Sequence, residues 1–261
     1  MKFIKPLVLI LFLFIISWRN LPEKIGANST GSPGNANIDS FCSTYFRLLG
    51  GEALKPDYEV FKKALTGFLN LKAENKIKKN ILSIIDFSIS SKLERLWIID
   101  MYKMEVVHLT LVAHGKNSGV EFASHFSNTP NSCQSSLGFY LTGEIFYSQH
   151  GMSLSLDGVE PGINDKARER GIIMHGANYV SKDFIRRYGL LGRSFGCPAI
   201  PMEDHEKIIT LLAGQSCMYI YYPDNNYQNS SRMFTPGTAL HGMSLFLSEL
   251  PDIFDPDSEE I

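Results

Sequence analysis

The two residues of this chain best suited to chemistry are Cys197 and His175. Cys197 lies in the stretch G-R-S-F-G-C-P-A-I-P (192–201), and His175 lies upstream in G-I-I-M-H-G-A (171–177). The thiolate is the nucleophilic form of cysteine, but an ordinary thiol has a pKa of about 8.5 and is mostly protonated at neutral pH. An imidazole, with a pKa of about 6.5, can accept that proton. The pair therefore suggests acyl transfer through an intermediate on sulfur.

The residues around Cys197 shape the turn that presents it. Pro198 disfavours a helical conformation for the residue before it, and Gly196 lets another group approach the chain closely. Pro198 also lacks an N–H, so donors to a developing oxyanion must come from Gly196, Cys197 or elsewhere. Arg193 is a candidate to lower the thiol pKa or to bind a substrate carboxylate. A small rigid turn that presents a sulfur is therefore expected.

The orientation of His175 must come from a group other than an acid, because no acidic residue adjoins it. The carbonyl of Gly176 is the nearest candidate. A purely structural interpretation stays open for both residues, since a lone cysteine is commonly a small buried residue and a histidine at a strand end commonly packs. Zinc catalysis is not supported, because no H-E-x-x-H occurs and the histidines are scattered, and no cofactor is predicted.

Composition limits the classes of function. The 25 basic and 27 acidic residues nearly cancel, so nothing indicates a nucleic-acid partner. The four cysteines, at 42, 133, 197 and 217, form no C-x-x-C motif. If Cys197 is free, at most one disulfide can form among the other three.

The periodicity of apolar residues predicts the elements that hold the site. A helical stripe covers 57–72, and from position 81 the period changes to two. Strands are expected at 81–87, 95–101, 105–113, 138–142, 145–147, 153–156, 171–175 and 217–222. Helices are expected at 181–188, with Ser181 as its cap, at 203–212 and at 241–250. The fold class predicted is therefore mainly β, with a few short helices and an N-terminal helical extension.

The two ends of the chain carry different predictions. Lys2 and Lys5 precede an apolar run of 12 residues (6–17), which is shorter than the roughly 20 needed to span a bilayer. These are the features of a signal peptide, with a retained anchor as the alternative, and membrane contact is expected only if this segment is uncleaved. We expect residues 1–20 to direct export to the periplasm or cell envelope. The remaining predicted boundaries are a flexible linker (21–40), a helical extension (41–80), a catalytic domain (81–222) and a C-terminal tail (223–261).

Five blocks of sequence together resemble the L,D-transpeptidase catalytic (YkuD-like) superfamily, in its murein L,D-transpeptidase catalytic domain branch. They are L-V-A-H-G-K-N-S-G (111–119), S-S-L-G-F-Y-L-T (135–142), G-V-E-P-G-I-N-D-K-A-R-E-R-G (158–171), H-G-A-N-Y-V-S (175–181) and G-R-S-F-G-C-P-A-I-P (192–201). The resemblance covers about half of the chain. It implies a β-sandwich and attack by cysteine on peptidoglycan stem peptides, at the α-carbonyl of diaminopimelate, with loss of D-Ala. It also implies acylation by carbapenems.

The resemblance assigns roles by position. Cys197 corresponds to the nucleophile, His175 to its base and the Gly176 carbonyl to the group that orients it. The segment 194–197, with Ser194, Phe195 and Gly196 before the cysteine, would form the oxyanion loop.

The chain also departs from the better-known pattern of the family. Phe195 stands where that pattern has a histidine, and Pro198 and Ala199 replace an apolar residue and an arginine. Arg193 is then the candidate for carboxylate recognition. His114 is expected to be structural, and Asp165 and Arg168 to fix loops.

Three functions remain open at this level. The first is L,D-transpeptidation, and the second uses the same chemistry with water as acceptor, as an L,D-carboxypeptidase or endopeptidase. The third is an inactive protein that binds the cell wall, against which the presence of both Cys197 and His175 argues.

Overall fold

The structure is a computed structural model that describes residues 33–50 and 55–250. The predicted export segment (1–20) and the first part of the predicted linker lie outside these ranges. Within them, no helix is both long enough and apolar enough to cross a bilayer.

A mixed sheet of eight strands forms the centre of the molecule. The strands are β1 (Ile81–Asp86), β2 (Leu96–Asp100), β3 (Glu105–Thr110), β4 (Gly138–Ser148), β5 (Gly151–Gly158), β6 (Ile173–Ala177), β7 (Ala199–Pro201) and β8 (Cys217–Tyr221). Their spatial order is β3-β2-β1-β8-β4-β5-β6-β7. The pairs β1–β8 and β6–β7 are parallel, and the other neighbours are antiparallel.

The two edges of the sheet approach each other. Ala113, which follows β3 at one edge, bridges to Ala199 in β7 at the other, and its N–H donates to the Ala199 carbonyl at 2.9 Å. The sheet therefore curls into a nearly closed, sandwich-like structure. The predicted β-rich fold is confirmed, and this closure brings the block 111–119 to the strand that follows Cys197.

In residues 33–50 and 55–250, six helices and one short 3-10 turn surround the sheet. The helices are α1 (Pro33–Leu48), α2 (Tyr58–Ala73), α3 (Lys182–Tyr188), α4 (His205–Leu212), α5 (Asn225–Ser230) and α6 (Pro236–Glu249), and the 3-10 turn is Arg232–Phe234. Helix α2 packs on β1 and β8, and α4 packs on β4, β5 and β6. All six residues of β1 are buried, as expected for a central strand. The α3 cap is as predicted, since Ser181 Oγ accepts the Phe184 N–H at 3.1 Å.

The two ends of the described chain differ from the sequence prediction. Helix α1 begins at Pro33, inside the predicted linker 21–40, and Ile38 is buried. The predicted tail 223–261 contains α5 and α6, and Phe246 of α6 is fully buried against Phe68, with ring centroids 5.8 Å apart. Helix α6 corresponds to the helix expected at 241–250 but begins earlier, whereas α1 and α5 lie where polar composition suggested loop. A few apolar residues at helical spacing are enough to bind each end to the core.

A buried carboxylate connects the C-terminal helices to the sheet. Glu160 accepts hydrogen bonds from the Phe139 N–H at 2.8 Å and the Tyr227 hydroxyl at 2.9 Å, and also from Ser231. Burial raises the pKa of Glu160, although these donors oppose that shift. The segment after β8 is therefore an integral part of the fold.

Candidate active site

Strands β6 and β7 position the two residues proposed for chemistry. His175 of β6 is paired in parallel register with Ala199 of β7, and Cys197 lies two residues before Ala199. If the β6–β7 register is extended by two residues before β7, Cys197 lies opposite Ile173. The parallel register therefore brings the turn that carries Cys197 alongside the start of β6.

The sulfur of Cys197 rests on the backbone at the start of β6. The half-buried thiol donates to the Gly171 carbonyl, with Sγ and O 3.6 Å apart. Burial raises the pKa of Cys197, while the Ile173 N–H and the positive charge of Arg170 lower it. The neutral thiol therefore has an acceptor, and the thiolate has a donor and a cation.

The imidazole of His175 is almost completely buried, with 2% of its surface exposed. Its Nδ1 lies 2.9 Å from the Gly176 carbonyl, and because a carbonyl only accepts, Nδ1 carries the proton. Nε2 is then left with a lone pair in the neutral ring. Burial lowers the pKa of His175, the Gly176 carbonyl opposes this, and His150 and His205 lower it further. A neutral ring able to accept a proton at Nε2 is the form that this environment favours.

Gly176 has no room for a side chain. A Cβ at this position would lie 2.6 Å from Met202 Sδ and 2.7 Å from His205 Cγ. His205 is itself fixed, with Nδ1 2.8 Å from the Met202 carbonyl. The close approach of Met202 and His205 to the backbone of residue 176 therefore explains why a glycine follows His175.

The turn before Cys197 is held by its own serine. Ser194 Oγ donates to the Cys197 carbonyl at 2.6 Å and accepts the Gly196 N–H at 3.0 Å. Gly196 adopts a φ of +128°, which favours glycine. Of the two oxyanion donors named from the sequence, the Gly196 N–H is thus engaged within the turn, which leaves that of Cys197.

Two of the blocks that carry the family resemblance form hydrogen bonds to the backbone of the turn 194–197. Ser135 Oγ donates to the Gly196 carbonyl and accepts the Gly115 N–H, both at 3.0 Å. The Ser194 N–H donates to the His114 carbonyl at 3.0 Å. The blocks 111–119 and 135–142 therefore contribute scaffolding for the cysteine turn.

Arg193 and Phe195 lie on the outside of the turn. Arg193 donates to the carbonyls of Lys116 and Gly119, at 3.2 and 3.1 Å. Phe195 is 70% exposed, and Lys116 Nζ lies 4.2 Å from its ring centroid. The expectation that Arg193 lowers the thiol pKa differs from the structure, in which Arg170 is the cation that acts on Cys197.

Arg170 is the residue of the site that the sequence interpretation missed. Its guanidinium donates to the Ser127 and Gln134 carbonyls, both at 2.6 Å, and to Ser132 Oγ at 3.1 Å. The Gln134 carbonyl in turn lies against Gly196, 2.8 Å from where a Cβ would be. Arg170 therefore holds the loop 127–134 against the cysteine turn. The sequence signal that could have identified Arg170 was its position directly before Gly171, inside the block 158–171 that resembles the family.

The three residues predicted to be structural have structural contacts. His114 is fully buried, and its Nδ1 accepts from Arg95 Nη2 at 2.8 Å. Arg168 pairs with Asp157 and with Glu144, and Asp165 accepts the Gly162 N–H at 2.9 Å. Arg168 thus joins the segment after β5 to strands β4 and β5, and Asp165 closes a turn within that segment.

A hollow of about 310 Å³ adjoins the sulfur site. Gly171, Ile172 and Ile173 form one wall, and Phe146, Leu156 and Arg168 contribute to the others. Two other hollows, of about 440 and 350 Å³, are lined by residues of the 160–163 loop and the C-terminal helices. Neither Cys197 nor His175 lines any of these three hollows. The described residues contain no group of histidine, cysteine and acidic side chains arranged to hold a metal ion.

The chain belongs to the L,D-transpeptidase catalytic domain family, whose model matches residues 52–221. That match includes the whole sheet and every residue of the site described above, which agrees with the resemblance drawn from the sequence.

The comparisons with solved structures and with curated proteins give weaker similarity than the family model does. An L,D-transpeptidase from Mycobacterium smegmatis is similar at 10% identity and a TM-score of 0.35, over 55% of this chain and 59% of that one. An L,D-transpeptidase (Yku) from Stackebrandtia nassauensis is similar at 10% identity and a TM-score of 0.34, over 79% of this chain and 99% of that one. The chain thus spans about three fifths of the mycobacterial structure, and no curated protein matches it.

Proposed function

We propose that this protein is a cysteine acyltransferase that acts on peptidoglycan stem peptides by L,D-transpeptidation. The observation that carries the proposal is the arrangement around β6. The Cys197 sulfur contacts the Gly171 carbonyl just before this strand, and His175 lies within the strand with its Nδ1 fixed to the Gly176 carbonyl. This gives a nucleophile, a base with a free Nε2 and a group that orients the base, which are the parts that nucleophilic catalysis requires. Family membership supplies the substrate class.

The proposed reaction has two half-reactions. His175 takes the thiol proton, and the Cys197 thiolate attacks the α-carbonyl of diaminopimelate, with the Cys197 N–H as a donor to the oxyanion. The C–N bond to D-Ala breaks, the proton on His175 passes to the leaving amine, and a thioester remains. An acceptor amine then attacks the thioester while His175 removes its proton, and the C–S bond breaks to restore the thiol. Arg170 stabilises the thiolate at both stages.

Incubation with purified tetrapeptide muropeptides, followed by mass spectrometry, tests the proposal. Cross-linked dimers and released D-Ala are expected. Tripeptides alone would indicate water as the acceptor, and an unchanged mixture would support a wall-binding protein without activity. Cys197→Ala should abolish the reaction, whereas Cys133→Ala, which changes another free cysteine, should keep it. Activity retained in Cys197→Ala would exclude the assigned nucleophile.

Two further proposals concern inhibition and location. A carbapenem should acylate Cys197 and add its intact mass to the protein, and Cys197→Ala should gain none. We also propose export to the periplasm or cell envelope through residues 1–20, which cell fractionation of the full chain and of a chain without these residues would test. Recovery of both in the cytoplasm would contradict export.

A further inference from the structure

A second histidine covers one face of the His175 ring. The rings of His150 and His175 are stacked, with centroids 4.1 Å apart and planes inclined by 17°. His150 is exposed, whereas His175 is buried, so the outer ring lies between the inner one and solvent. The sequence interpretation assigned no role to His150, because 25 positions separate the two residues in the chain and no local pattern connects them.

The geometry of a tight turn places His150 over the site. Residues 149–150 connect β4 to β5 between the paired residues Ser148 and Gly151, and Gly151 takes a φ of +80°. The His150 N–H donates to Ser148 Oγ at 2.9 Å, and Ser148 Oγ is hydrogen-bonded to Ser153 Oγ at 2.8 Å. Ser153 is the β5 residue paired with His175 across the sheet. A short hydrogen-bonded path therefore fixes the turn next to His175.

We propose that His150 is a positioning residue for His175, which covers its ring, holds it against the Gly176 carbonyl and favours its uncharged form. The inference rests on the proposed function, in which His175 must be neutral to accept the thiol proton. A ring held on one face by a stack and on one edge by a carbonyl has little freedom to change its orientation.

The charges around His175 give the sign of the effect. His150 faces it from the β4–β5 turn, His205 faces it from the start of α4, and both disfavour a positive charge on His175. The paired residues Ser153 and Ala199 carry no charge, and Cys197 belongs to the turn before β7. With the ring centroids 4.1 Å apart, a positive charge on His150 disfavours a positive charge on His175. Removal of His150 should therefore raise the pKa of His175 by exposing the ring and removing this repulsion.

Three variants of the full chain separate these contributions. His150→Ala removes both the cover and the charge, and His150→Phe keeps a flat ring without charge. His125→Ala is the matched control, because His125 is also exposed and its side chain is hydrogen-bonded to the neighbouring Ser124. The measurements are an NMR titration of the His175 ring nitrogens and the pH profile of kcat/KM for release of D-Ala from the tetrapeptide.

We expect the His175 titration and the acidic limb of the profile to move to higher pH in His150→Ala, with kcat about tenfold lower. His150→Phe should recover most of kcat, and His125→Ala should behave as the parent chain does. An unchanged His175 titration in His150→Ala would overturn the proposal, whatever the activity. If no chain turns over substrate but the titration moves as expected, the role of His150 stands and the proposed function fails.

Discussion

The Nδ1 atom of His175 lies 2.9 Å from the carbonyl oxygen of Gly176, the next residue of the same strand. A contact between adjacent residues depends on local backbone conformation, which in turn depends on how closely Gly176 packs. The orientation of the base is therefore sensitive to a single Cβ atom.

Gly176→Ala should reduce both activity and stability. The new Cβ would meet Met202 Sδ and the His205 ring, and the strand must shift away from them. Overpacking of this kind costs about 1–3 kcal/mol, which urea unfolding would measure beside the rate of D-Ala release. Gly237→Ala is the control, since nothing lies within 4 Å of its added Cβ in α6, and it should be neutral or slightly stabilising. Normal activity in Gly176→Ala would show that the close packing of Gly176 does not control the orientation of His175.

Arg170→Gln should make Cys197 less reactive at neutral pH. The variant loses the cation that lowers the thiol pKa and the hydrogen bonds that hold the loop 127–134. The rate of alkylation by iodoacetamide, measured against pH, should therefore have a higher midpoint than in the parent chain.

An exposed arginine provides the comparison for Arg170. Arg186→Gln removes a charge that pairs with Asp183 on the surface of α3, and it should leave the alkylation profile unchanged. Arg193→Gln should also leave it unchanged, because Arg193 does not act on the thiol in this structure. A shift with Arg193→Gln equal to that with Arg170→Gln would contradict the assignment of the cation.

The contribution of His114 to stability should be lost as the pH falls. Burial and the neighbouring charge of Arg95 lower the pKa of His114 to about 4, below the usual value of about 6.5. The unfolded chain then binds a proton more readily than the folded one between these values. The contribution is present above pH 6.5 and is lost towards pH 4, by up to about 3 kcal/mol.

Urea unfolding between pH 7.5 and 4.5 measures this effect, as the difference between the parent chain and His114→Asn. The difference is needed because Asp86 and Glu160 have raised pKa values and change stability in the opposite direction. An identical pH dependence in the two chains would exclude His114 as its source.

Phe246→Ala should be strongly destabilising, although the residue lies beyond the predicted catalytic domain (81–222). The ring is fully buried between α2 and α6, so its removal should cost about 3–5 kcal/mol in the free energy of unfolding. Phe195→Ala is the matched change at an exposed ring, and it should alter stability by less than about 0.5 kcal/mol. Thermal unfolding of the two variants would give the comparison, and equal effects would show that α6 does not belong to the core.

Local features of the sequence predicted much of the sheet and the centre of the site. Alternating apolar residues located seven of the eight strands to within a few residues, although β4 continues through a bulge where two strands were expected. Strand β7 was missed, because its three residues are too few to show a period and include Pro201. The helix expected at 241–250 corresponds to α6, which begins earlier at Pro236, whereas α5 was missed because its six residues are almost all polar.

By itself, the sequence determined the effects that act over a few residues. Chemistry between neighbouring residues of the chain accounts for the Gly196–Cys197–Pro198 turn and its missing N–H at Pro198. It also accounts for the Gly176 carbonyl beside His175 and for the Ser181 cap. The tertiary structure decided which distant groups surround them. Arg170 acts on Cys197 because its loop contacts fix it beside Gly171, and His150 covers His175 because the β4–β5 turn folds back over the sheet. These contacts depend on strand register and on the closure of the sheet through Ala113 and Ala199, which no local pattern specifies.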